Sequence, residues 1–171
     1  MNNKLRFELI TKPHPYLNEK SSMFEEWGDI KILILFENKK LILLKTEWNM
    51  LEIVKWVIKN QHNFCNSIEN IHEEIQVFAN ESLAKSLERL HQKDFYEEED
   101  SQDKWYEALY KFREQHNLRF AMRGSNIPDI VIGLNKGKGE ISLYNEEHDW
   151  SYSFDIEDFL NNFIGNYRHM A

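Results

Sequence analysis

The stretch His72-Glu73-Glu74-Ile75-Gln76 begins like the helix of a zinc protease, where two histidines one turn apart hold the ion and a glutamate serves as base. Gln76 stands where the second imidazole has to be, so the pair that holds the metal is incomplete. His62 lies ten residues before His72, and His14, His91, His148 and His169 are scattered through polar sequence. Gly124-Ser125 lacks the flanking glycines of a strained nucleophile elbow. Gly137-Lys138-Gly139 follows Asn135-Lys136 and leads into a strand, whereas phosphate loops open a helix; it reads as a hairpin turn. The lone thiol, Cys65, sits in an apolar-flanked stretch and reads as a small buried hydrophobe. Carboxylates are abundant, but a catalytic pair needs surroundings that split the two pKa values. The expectation is a protein that is not an enzyme, with no metal and no cofactor.

What remains for chemistry is charge. Six of the ten residues from Asp94 to Asp103 are acidic and none is basic. Like charges this close repel, so the run faces water. It reads either as a solvated loop leading into a helix, where Asp100 and Asp103 favour the positive end of the dipole, or as a docking surface. In the second reading Glu97, Glu98, Glu99, Asp100 and Asp103 meet lysines and arginines of a partner, and Phe95 and Tyr96 supply aromatic anchors.

The whole chain is acidic too. With 171 residues, a net charge of −8 and 13% aromatic residues, it has enough apolar material for one core and the wrong sign for direct contact with nucleic acid. A single cysteine excludes an internal disulfide. The opening residues lack the apolar run of a signal peptide, and no apolar run approaches the ~20 residues needed to span a bilayer. A cytoplasmic location without membrane contact is expected; the oligomeric state is not legible.

The elements that position these residues follow from periodicity. Lys4 to Ile10 alternates as a strand, and Lys31 to Phe36 and Lys40 to Lys45 form a hairpin about Asn38-Lys39. Thr46 is expected to cap a helix carrying Trp48, Leu51, Val54 and Ile58 on its apolar face. Ile68, Ile71, Ile75 and Phe78 mark a second helix; Asn80 caps a third with Leu83, Leu87 and Leu90; Trp105, Leu109 and Phe112 mark a fourth. Leu118 to Ala121 reads as extended. Ile130 to Leu134, Glu140 to Tyr144 and Trp150 to Phe154 form a three-strand meander, and Asp155 precedes a last amphipathic helix through Ile164. The fold class is α+β: an antiparallel or mixed sheet, built from the N-terminal strand and hairpin plus the C-terminal meander, covered by about four central helices and a C-terminal one. Residues 1–171 form a single domain.

Trp105, His116-Asn117-Leu118-Arg119-Phe120-Ala121, Gly124, Ile127-Pro128-Asp129-Ile130, Glu140-Ile141-Ser142 and Trp150-Ser151-Tyr152-Ser153-Phe154-Asp155 together resemble a pattern of uncharacterised bacterial proteins. That resemblance implies a fold, not an activity. In overall character the chain resembles immunity proteins of contact-dependent growth inhibition and other polymorphic toxin systems, which are small, acidic and without catalytic motifs. This second resemblance implies a cognate toxin domain as partner, for instance a nuclease whose basic cleft the acidic surface would occupy. The alternatives are a small enzyme or ligand-binding protein with a pocket between helices and sheet, and a structural or regulatory subunit.

Overall fold

Leu5 and Phe7 alternate with more exposed neighbours along β1 (Lys4–Thr11), and Ile30, Ile32 and Ile34 are fully buried at every second position of β2 (Trp27–Phe36), where Leu33 on the other face is buried as well. Side chains on a strand point alternately to its two faces, so these five line one side of a sheet. The computed structural model describes residues 3–15, 26–37, 39–71, 78–92 and 99–171, the side chains of 99–102 excepted. β1, β2 and β3 (Lys39–Asn49) form an antiparallel sheet in that order. A bulge interrupts its second ladder, where Ile32 faces Leu44 but Leu33 faces Ile42.

The expected C-terminal meander is a second antiparallel sheet of β4 (Ile130–Asn135), β5 (Lys138–Tyr144) and β6 (Asp149–Phe154). The two sheets are separate ladders. They meet where Asn3 donates its side-chain amide to Ser153 O at 2.9 Å and Asp155 N donates to Asn3 O at 3.3 Å. Lys136 and Gly137 both adopt positive φ between β4 and β5, which makes the tight turn the glycine-rich sequence suggests.

Four α-helices are described: α1 (Met50–Asn60), α2 (Leu83–His91), α3 (Glu99–His116) and α4 (Ile156–Tyr167). One core unites the inner faces of both sheets with α1 and α4, through residues such as Ile53, Val54, Phe159 and Phe163. Val131 points the other way, into a second cluster with Leu83, Leu87 and Leu90 of α2 and Trp105, Leu109 and Phe112 of α3. β4 is therefore buried on both faces.

Several local expectations are corrected. Thr46 and Trp48 belong to β3, paired with Ile30 and Gly28, and the cap of α1 is Asn49, whose side chain accepts from Leu51 N at 3.0 Å. Pairing along β2 continues past the β-branched threonine, and the next strong cap takes over. Ser82, not Asn80, caps α2 by accepting from Lys85 N. Of the second expected helix, Ile68–Asn70 form a 3-10 turn, while residues 72–77, with Ile75, lie outside the described set; Phe78 is exposed, its ring under the Arg89 guanidinium. Leu118–Phe120 is a 3-10 turn, not extended, because Asn117 accepts from Arg119 N and closes it. Cys65 is exposed. No helix among the described residues is long and apolar enough to cross a membrane.

Candidate functional site

The site is built on α3 and on what its ends touch. Trp105, Leu109, Phe112 and His116 recur at spacings of four and three and are all buried, so this edge fixes the helix to β4 and α2. Trp56 of α1 adds a hydrogen bond from its indole N–H to Glu114 O at 2.9 Å. The opposite flank carries exposed side chains among the described residues, with Tyr106 also meeting the His91 ring at 6.3 Å. Asp103 is exposed in the second turn, and Tyr106 and Tyr110 follow it at 37% and 56% exposure. At spacings of three and four these side chains share one flank.

Of the expected partner-binding residues, Phe95, Tyr96, Glu97 and Glu98 lie outside the described residues. Glu99 and Asp100 open α3, and Asp103 stands in line with the two tyrosines. Tyr106 and Tyr110 are exposed aromatic residues on this helix that the sequence reading did not single out. Their signal was present, since both fall off the Trp105–Leu109–Phe112 stripe.

The C-terminal end of α3 is polar and ordered. Asn117 donates to Asp129 Oδ1 at 2.7 Å, and Asp129 pairs with Arg119 at 3.3 Å and Arg113 at 3.8 Å. Beside it a cleft of about 380 Å³ runs between α2 and the β4–β5 ladder, with His91, Glu88, Arg113 and Tyr144 on its walls and Leu87 and Val131 among its apolar contacts.

His116 is not available for chemistry. Its ring stacks on Phe112 at 3.8 Å and donates from Nδ1 to Ile132 O at 2.8 Å, a carbonyl being able only to accept. Burial lowers its pKa to about 4, so the ring is neutral at pH 7, and among the described residues Nε2 has no hydrogen-bond partner. Glu81 is likewise structural. The Arg89 guanidinium, then the Ser86 hydroxyl, hold its carboxyl below the ordinary range. Among the described residues no group of histidine, cysteine and carboxylate side chains is placed to hold a metal.

No family model, curated protein or solved structure matches this chain. Function has to be argued from the surface itself. Among the pattern residues, Asn117 and Asp129 join the end of α3 to the start of β4, while Glu140 and Ser142 reach the start of α2.

Proposed function

We propose that this chain is a cytoplasmic binding protein that neutralises a cognate toxin domain, as immunity proteins do, through the acidic run before α3 and the exposed flank of that helix. The observation that carries the reading is the exposed line Asp103, Tyr106, Tyr110 on a helix whose other edge is locked by Trp105, Leu109 and Phe112. A rigid platform presents aromatic anchors with little ordering cost on association. Carboxylates leading into it accelerate encounter with a basic cleft, such as that of a nuclease, and compete there with phosphates.

Co-expression with the C-terminal domain of the protein encoded by the reading frame immediately upstream, as the candidate toxin, tests it. Growth rescue by the wild type is expected, together with slower association of the Glu99→Lys/Asp100→Lys/Asp103→Lys variant at low salt. Absence of rescue, or an association rate that ignores charge reversal, sinks the reading.

The cleft beside α2 favours a second reading, a ligand-binding protein, because polar groups converge there over an apolar floor. A small polar metabolite that raises Tm in the wild type, but not in His91→Ala, would favour it over partner inhibition.

A further inference from the structure

Three of the six arginines, Arg113, Arg119 and Arg123, fall within eleven residues of an otherwise acidic chain. The fold brings all three to one open pocket of about 510 Å³, closed on its far side by the Gly124-Ser125-Asn126 loop. Each is held by a different device. Arg113 ends α3. Arg119 lies in the 3-10 turn that Asn117 caps, with its backbone N–H on Asn117 Oδ1 at 2.9 Å. Arg123 lies over the Phe120 ring, its guanidinium carbon 4.9 Å from the centroid. Gly124 then turns the chain at φ +98° over the Trp48 indole, where a side chain would be strained and crowded.

Asp129 organises the group. Its carboxylate, itself fixed by Asn117, takes Arg119 on one oxygen and Arg113 on the other. A guanidinium has five N–H donors, so each arginine keeps most of its fork for an outside acceptor. Arg123 has no carboxylate within ion-pair distance among the described residues. Three cations against one carboxylate leave two positive charges uncompensated. Like charges held side by side repel, and here a single aspartate offsets only part of that cost.

A surplus of two positive charges with planar, forked donors matches a dianionic oxyanion better than a carboxylate. We propose that the Arg113–Arg119–Arg123 pocket binds a phosphate dianion, free or as the monoester of a small molecule. The pocket lies at the opposite end of α3 from the acidic residues, although its Phe120 wall meets Tyr110; the phosphate reading does not rest on toxin neutralisation.

The test is NMR of the full chain with ¹⁵N-labelled arginine, following the side-chain Nε–Hε signals. Sodium phosphate and phenyl phosphate are titrated at pH 7.5, with sodium acetate at matched ionic strength as the carboxylate control. Saturable shifts of Arg113, Arg119 and Arg123 are expected with either phosphate, while Arg6, Arg89 and Arg168 stay in place. Tighter binding of phenyl phosphate would assign the pocket to a phosphorylated small molecule, and tighter inorganic phosphate to the free ion. Arg123→Gln, at an exposed position, should raise Kd about tenfold, since a charge-assisted donor pair is lost; Arg119→Gln provides a second variant, and circular dichroism confirms that both fold. Lowering the pH to 5 should weaken binding of both probes, because the second pKa of a phosphate monoester is about 6 and that of inorganic phosphate lies higher, so each is mostly a monoanion there. A common drift of all six arginine signals, an equal saturable response to acetate, or an unchanged Kd in both folded variants would overturn the proposal.

Discussion

The carboxylate of Glu140, in the middle strand of the second sheet, accepts the backbone N–H of Leu83 at 2.6 Å. The residues are fifty-seven positions apart. Two places further along β5, on the same face, Ser142 Oγ accepts from Ala84 N at 3.0 Å. The first N–H groups of a helix lack partners within it, and here a strand supplies two of them. The second carboxylate oxygen of Glu140 is occupied by the Asn135 amide at 2.7 Å. A buried negative charge at a helix N-terminus is thereby paired on every side.

Replacing Glu140 by Leu should therefore destabilise the fold by at least about 2 kcal/mol, because buried donors on Leu83 and Asn135 are left without acceptors. Glu140→Gln keeps one acceptor oxygen and should cost less. Urea unfolding followed by tryptophan fluorescence measures both; equal stabilities of Glu140→Leu and wild type would remove the capping role.

Gly133 sits where β4 passes His116. A Cβ there would lie 2.6 Å from His116 Nδ1 and 3.0 Å from Leu83 Cδ2. Gly133→Ala should lower stability by about 1–3 kcal/mol, the usual cost of overpacking a filled core. It should also disturb the ring current that Phe112 exerts on His116, so the imidazole proton shifts in NMR give an independent reading.

His116 confers a pH dependence whose sign follows from burial. Its folded pKa of about 4 lies below the ordinary 6.5, so between those values the unfolded chain binds the extra proton. The stabilisation from its neutral form is complete above pH 6.5 and declines by about 3 kcal/mol as pH falls to 4. His116→Asn retains a donor toward Ile132 O but cannot titrate. The stability advantage of wild type over this variant should narrow across that window, and a constant gap would refute the assignment.

Tyr110 separates binding from folding. Its ring is 56% exposed and meets Phe120 edge to face at 5.7 Å. Tyr110→Ala should cost under about 1 kcal/mol in stability. If the exposed flank of α3 is the partner surface, the same change should weaken partner binding by about tenfold or more. Surface plasmon resonance against the identified toxin domain checks this, with thermal unfolding as the control.

Much of the fold could be read along the chain. Alternation along Lys4 to Ile10, the turn at Lys136-Gly137, the helix start at Asp155 and the stripe Trp105, Leu109, Phe112 all appear where local pattern places them. Each depends on neighbours a few residues away, and such patterns are written locally. Misreadings arose where distant partners decide. Thr46 has the chemistry of a cap, yet β2 draws it into a ladder opposite Ile30. Cys65 follows the buried Phe64, yet its place at the end of a 3-10 turn leaves it exposed.

The candidate sites divide the same way. Composition alone revealed the acidic run and its sign, because charge is a sum over residues and needs no coordinates. That Tyr106 and Tyr110 share an exposed flank with Asp103 was legible too, since all three fall off the stripe Trp105, Leu109, Phe112. That Asp129 draws Arg113 and Arg119 together, and that Glu140 caps a helix from another element, required the packing of β4 and β5 against α2 and α3. Side chains that cooperate across space leave no spacing in sequence, since only the closed chain brings their atoms within hydrogen-bonding distance.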